Sequence, residues 1–318
     1  MKRMSIRTST FALTIAWAVL GGLAGCSLHA NRPAASPSTP RSPAAATERG
    51  MVTTCGAEIA GREDLTAPIV VLGETHGAAE IPAAFGRLVC HAATKRRDQT
   101  VLVGLEIPSS AQPAIDTFLD GDGGPQARKA VLDQEFWRRD FQDGRSSKAR
   151  LDLLDDLRRY RASGLKLVVR AIDVPNGESA EDRDAWMAAA IAEAIETIRP
   201  AQTLVLVGDV HSRILKGYPW NPAADYLPMG AHLRAKYADT IGLNTTASGG
   251  SAWMCLSAVA TECGPEEVRA REITGETPRI ALDPEALQKR GWSGTLFIGK
   301  LTMSPPARLE VDGDVPGR

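Results

Sequence analysis

The chain has 318 residues, 24 % of them charged, and a formal net charge of −1. No basic patch stands out, which argues against nucleic acid as a partner. Met1 to Arg7 carries three cations and no acid, an apolar run spans Phe11 to Leu20, and small residues then lead to Cys26. That is the layout of a secretory signal over residues 1–25, with an apolar run too short to span a bilayer comfortably. Without it the formal charge becomes −4, because Lys2, Arg3 and Arg7 leave and no acid does.

The signal ends in Leu23-Ala24-Gly25-Cys26, which resembles the lipobox of bacterial lipoproteins. The resemblance implies cleavage before Cys26, diacylation of its sulfur, and export to a bacterial membrane, by expectation the periplasmic face of the outer membrane. Residues 26–50 are rich in Pro, Ala and Ser, and such a stretch cannot bury enough apolar surface to offset its ordering entropy. They are predicted to form a flexible tether. Residues 51–318 remain, enough for one sizeable domain with a real core. Four cysteines remain in it, an even number in an exported chain. Pairing neighbours in sequence order gives Cys55–Cys90 and Cys255–Cys263, with free buried thiols as the alternative.

Short apolar runs are predicted as strands at Ile69–Leu72, Val101–Ile107, Lys166–Ile172, Thr203–Val207, Thr240–Leu243, Trp253–Val259 and Thr295–Ile298. Continuous rather than alternating apolarity suits strands covered on both faces. Helical spacing predicts helices over Ala79–Thr94, Pro125–Phe136, Ser147–Ala162, Ala180–Ile198 and Pro228–Tyr237. The pattern is α/β, a mostly parallel central sheet flanked by helices. From about Trp253 there is less helix, and antiparallel edge strands are an option there.

Two strand ends share a grammar: Gly73-Glu74-Thr75-His76 and Gly208-Asp209-Val210-His211. Residues two apart on an extended chain face the same side, so each end can present a carboxylate and an imidazole to one pocket. In an open parallel sheet, ligands sit beyond the carboxyl ends of the strands. Glu106, before Pro108, supplies a third acid at such an end, and pairing with Arg183 is its structural alternative. Asp173 is a weaker fourth, since the Val-Pro-Asn-Gly after it reads as a turn. Arg183 opens a helix where a cation opposes the dipole, so it is a candidate to hold a carboxylate or an oxyanion. His232 lies on a helix with no clear preference for the site. His91 reads as structural, His29 falls in the tether, and Asp120 to Gly124 reads as a turn because it lacks calcium-loop ligands.

The sequence holds no G-x-S-x-G elbow, H-E-x-x-H, phosphate loop or dinucleotide fingerprint. Chemistry is left to Glu, Asp, His and Arg. The segments "VVLGETHGAAEIP", "VLVGLEIPSS", "EDRDAWMAAAI", "LVLVGDVHS" and "PMGAHLRAKY", in that order, resemble the superfamily of erythromycin esterases, ChaN-type haem-binding lipoproteins and Tiki-type proteases, over about residues 69–243. The resemblance implies that Glu74, His76, Glu106 and His211 occupy active-site positions and that Arg183 matches the arginine of an R-D-x-x-M-A helix motif. ChaN-type proteins take haem through a tyrosine, and Tyr160, Tyr218, Tyr226 and Tyr237 lie in no matching motif.

Two readings follow. In the first, the protein hydrolyses an ester or amide in a small molecule or peptide, with or without a divalent metal on Glu74, His76, Glu106 and His211. In the second, it captures haem or a metal without catalysis, with Tyr218, Pro219 and Trp220 as an apolar surface for a porphyrin.

Overall fold

The computed structural model describes residues 54–270, 277–283, 285, 287 and 290–309. The signal segment, Cys26, the tether and His29 therefore lie outside the described residues. Among those described, no helix is long and apolar enough to cross a membrane.

Seven strands form one sheet in the order β3 (Leu167–Asp173), β2 (Val101–Pro108), β4 (Gln202–Gly208), β1 (Ile69–Glu74), β5 (Thr240–Thr246), β9 (Gly294–Phe297) and β8 (Arg279–Leu282). All neighbours run parallel except β8, which pairs antiparallel with β9 at the edge. Every residue of β1, β2 and β4 is buried, the consequence of apolar runs without alternation. Alternate residues serve opposite faces. Val70, Leu72, Leu204 and Leu206 join one core with α1 (Glu80–Lys95), α2 (Gln112–Asp120) and α5 (Lys148–Ala162). Ile69, Val71, Val205 and Val207 join a second core with α6 (Arg183–Ile198) and α7 (Met229–Lys236).

The helices differ from the predicted ones mostly at their ends. Ser147 lies outside α5 and caps it, accepting from Arg150 N at 3.4 Å. Asp182 caps α6 through Ala185 N at 2.9 Å, so that helix starts at Arg183. The predicted Pro125–Phe136 helix divides into α3 (Pro125–Leu132) and α4 (Glu135–Arg138), because Gln134 takes extended backbone between them. Helix α2 was not foreseen, although Ile115, Phe118 and Leu119 have helical spacing and Pro113 stands in its first turn, where proline is tolerated.

Near the C-terminus, β6 (Gly250–Cys255) and β7 (Cys263–Val268) form a separate antiparallel pair with Cys255 opposite Cys263. The predicted strand at Trp253–Val259 thus begins earlier and stops at Cys255, where the chain turns. The structure joins Cys55 to Cys90 and Cys255 to Cys263. The β6–β7 hairpin braces the loop after β1, with Trp253 N donating to Gly77 O at 3.0 Å. Gly77 has φ 72, and a side chain there would run into the Trp253 carbonyl.

Candidate active site

Strand parity decides which helix each acid meets. Glu74 continues the Val70–Leu72 face towards α5, and Arg150 Nη2 donates to its Oε1. Glu106 lies on the opposite face, towards α6, and accepts from Arg183 Nη2 at 2.6 Å and from Gly208 N at 2.7 Å. The two acids are 3 % and 1 % exposed, so each ionised form survives only because charges and N–H groups surround it.

His76 Nδ1 lies 2.9 Å from Glu74 Oε1, and its Nε2 is 3.9 Å from Glu106 Oε2. His211 Nδ1 lies 2.7 Å from Asp184 Oδ1, and its Nε2 is 3.0 Å from Arg183 Nη1. A guanidinium only donates, so that contact makes His211 Nε2 the acceptor and puts the ring proton on Nδ1, towards Asp184. Gly208 stands between the two rings. A β-carbon there would lie 2.9 Å from His76 Nε2 and 3.5 Å from His211 Cδ2, so both imidazoles converge above one backbone position.

Around them the charges interlock. Arg183 Nε and Nη2 grip Asp173 at 2.7 and 2.6 Å. Arg145 Nη1 reaches Asp173 at 3.0 Å and Glu106 at 3.4 Å, while its Nε donates to Asp143 at 2.9 Å. Asp184 also accepts from Met229 N at 2.7 Å and Tyr226 Oη at 3.0 Å. Burial alone would lower the His76 pKa, but the hydrogen bond to Glu74 and the charges of Glu74 and Glu106 outweigh it and raise the value above 6.5. Burial opposes ionisation of Glu106, yet His76, His211, Arg145 and Arg183 hold its carboxyl well below 4.5.

No family model matches the sequence, and no curated protein does. Solved structures match in fold. A mutant of the erythromycin esterase EreC in its open conformation superposes with a TM-score of 0.55 at 13 % identity, over 76 % of this chain and 94 % of that one. The chain has the erythromycin esterase fold. A succinoglycan biosynthesis protein gives 0.54 at 11 % identity, over 76 % and 89 % of the two chains. A haem-bound ChaN of Campylobacter jejuni gives 0.34 at 10 % identity, over 65 % and 89 %.

The structure brings Glu74, His76, Glu106, Asp173, Arg183 and His211 together. It does not bring in His232, whose Nε2 faces Asp182 Oδ2 at 3.4 Å. Asp209 also departs from expectation. The chain turns helically after Gly208, with His211 N and Ser212 N both bonded to Gly208 O, so residues two apart no longer share a side. Asp209 turns to Thr245, 3.4 Å away, and Asp184 takes the place beside His211. His91 sits elsewhere, accepting from Arg62 Nε at 3.3 Å.

Sequence reasoning missed Arg145, Arg150, Asp184 and Tyr226. A signal existed for two of them. Arg150 precedes Leu153, Leu154 and Leu157 at helical spacing, and Asp184 precedes Met187, Ala188 and Ile191 in the same way. Each is a charge in an apolar stripe. Arg145 and Tyr226 lie in loops, where no periodicity points.

Glu74, His76, Glu106 and His211 do not form a metal set. Both glutamates and Asp173 already face guanidinium groups, so a divalent cation among them would meet three like charges. Among the described residues, no group of three or more His, Cys, Asp or Glu could hold a metal. The tyrosine that reaches the site, Tyr226, spends its hydroxyl on Asp184 and is a poor haem ligand as placed.

Proposed function

We propose that the protein is an exported hydrolase of ester or amide bonds, working by general acid–base attack of water. The observation that carries this reading is the convergence above Gly208 of two imidazoles, each with Nδ1 held by a buried carboxylate. A carboxylate on Nδ1 fixes ring orientation and tautomer and stabilises the imidazolium, leaving Nε2 to handle protons.

His76 is the base in this scheme. Among the described residues its Nε2 makes no hydrogen bond, Glu106 lying 3.9 Å away, whereas His211 Nε2 is capped by Arg183. A water on His76 Nε2 gives up a proton as its oxygen bonds to the carbonyl carbon. The carbonyl oxygen takes the negative charge, and the His76 imidazolium returns the proton to the leaving oxygen or nitrogen as that bond breaks. Arg183 suits the oxyanion. Of its five N–H groups, four are spent on Asp173, Glu106 and His211, and one Nη1 hydrogen remains. Glu106 holds Arg183 in place and, through Gly208 N, locks the end of β4 to that of β2.

Rates on a panel of aryl and alkyl esters and on casein peptides test this with wild type, His76→Ala and His211→Ala. His76→Ala is expected to lose about 10²- to 10⁴-fold in kcat, the usual contribution of a general base. Full activity in both variants would remove the proposal. Capture of haem is the competing reading. A Soret shift on adding haem, lost in His76→Ala, would replace hydrolysis with ligation.

Export and anchoring through Cys26 belong to the same proposal. They rest on the lipobox-like sequence and on two disulfides, which persist in oxidising compartments.

A further inference from the structure

A cleft of about 300 Å³ lies between residues 54–59 and the second half of α1. Arg87, Leu88, His91 and Thr94 of α1 form one wall, the backbone of residues 54–59 forms the other, and Arg62 closes the end from a 3-10 turn (Arg62–Asp64). Arg87 and His91 are four residues apart, so they share one face of the helix. The disulfide from Cys55 to Cys90 fastens the two walls together. Arg62 precedes β1, and these residues of α1 lie past its midpoint on the way back from the end of β1. The cleft therefore sits at the amino edge of the strands, away from Glu74 and His76.

Donors outnumber acceptors in it. Arg62 Nε donates to His91 Nδ1 at 3.3 Å, and a guanidinium only donates, so His91 is neutral and carries its proton on Nε2. Burial and the charges of Arg62 and Lys95 push the His91 pKa below 6.5, in keeping with that state. Arg62 spends Nη1 on Glu58 Oε1 at 2.6 Å and Ile59 O at 3.3 Å, which leaves Nη2. Arg87 is less well served. Its Nη1 reaches Ala57 O at 3.4 Å, its Nε is buried without a hydrogen bond among the described residues, and no carboxylate there pairs with it. Burial pushes its pKa down, opposed by the Tyr160 hydroxyl and by no acid. Glu58 is the one carboxylate among the described residues of the cleft wall, and it is already turned to Arg62. Two guanidiniums and an imidazole N–H thus face one committed acid. A cation partly withdrawn from water needs an opposite charge, and here the protein supplies one too few.

We propose that this cleft binds a small phosphate monoester, with its terminal oxygens held by Arg62, Arg87 and His91. Three donor side chains can meet three terminal oxygens one each, whereas a carboxylate offers two. Arginine also suits phosphate, because its forked N–H groups match adjacent oxygens. A volume of about 300 Å³ is the lower end for ligand pockets, so the organic part is short, with Ile59 and Leu88 as its apolar cover. The site is separate from the hydrolytic one, and its existence does not depend on that reading.

Calorimetric titration with glycerol 3-phosphate at fixed ionic strength tests the site. Wild type and His76→Ala are expected to bind it alike. Arg87→Gln should weaken binding about 10-fold or more, the scale of a charge-assisted hydrogen bond. Glu58→Gln changes an exposed side chain that does not hold the fold together, and by freeing Arg62 it should tighten binding about 2- to 5-fold. That gain cannot come from misfolding. Glycerate, with a carboxylate in place of the phosphate, should bind at least about 10-fold more weakly than glycerol 3-phosphate. Vesicles of phosphatidic acid show the same group on a membrane and separate a lipid headgroup from a free ligand. The proposal is overturned by no saturable binding of glycerol 3-phosphate to wild type, by unchanged affinity in both Arg87→Gln and Glu58→Gln, by equal affinity for glycerate, or by binding to the vesicles alone. A protein that hydrolyses nothing still passes or fails this titration.

Discussion

Glu74 serves two partners from the end of one strand: Arg150, fully buried on α5, and the imidazole of His76. This sets the expected pH dependence. A base must be deprotonated to act, so kcat/KM should rise with pH through an apparent pKa above the ordinary 6.5. Glu74→Gln removes the charge that raises His76, leaves at most a neutral carbonyl to accept its Nδ1–H, and keeps the burial that lowers it. The rising limb should then move to lower pH while the plateau drops. A pH–rate profile of both proteins checks this, and a limb that stays in place would refute the role of Glu74. The same change strands Arg150, whose Nε and Nη1 already lack hydrogen-bond partners among the described residues. Breaking a buried pair costs about 3–5 kcal/mol, whereas replacing both partners with apolar groups is often neutral. Arg150→Met added to Glu74→Gln should therefore recover much of the lost stability, read by urea denaturation.

At the scale of elements, the decisive feature is the point where β4 stops. Gly208 gives its N–H to Glu106 and leaves room for two rings that no side chain could share. Gly208→Ala should leave circular dichroism near wild type, because the residue sits at a strand end. The added methyl group would displace the His76 ring. Since misplacing a catalytic group by an ångström can cost about 100-fold, a loss of that order in kcat is expected. Unchanged kcat would mean that the rings do not converge here. The hairpin of β6 and β7 braces the loop after β1, which carries His76, from outside. It donates to Gly77 O through Trp253 N, and Trp253 Nε1 donates to Gln142 O at 2.8 Å, close to Arg145.

For the whole molecule, the chemistry gathers at the carboxyl edge of the parallel strands, with α5 and α6 both starting there. Two roomy clefts lie away from it. One of about 300 Å³ is lined by Cys55, Arg62, Arg87 and His91, and another of about 460 Å³ by Pro68, Thr240 and Arg234. The N-terminal half of the export proposal has its own test at this scale. Expressed with its signal in a bacterium, the wild-type chain should fractionate with membranes and incorporate labelled palmitate. Cys26→Ser should lose both, and label retained in the variant would end the anchoring idea.

Much of this architecture is legible in the sequence. Unbroken apolar runs such as Leu204 to Val207 require cover on both faces, and the alternation of runs with helical stretches gives an α/β sheet. The Glu74–His76 pair is equally readable, since an extended chain carries every second side chain to the same side. The sequence alone misplaces Asp209, because the turn after Gly208 is set by contacts and not by periodicity. It cannot assign Asp184 to His211, Arg150 to Glu74 or Tyr226 to Asp184. Those partners are 27, 76 and 42 residues apart along the chain. What sequence determines here is local: which residues extend, which coil, and which face is apolar. Partnership among buried charges was decided by tertiary structure, because each charge is tolerable only where the folded chain delivers its opposite.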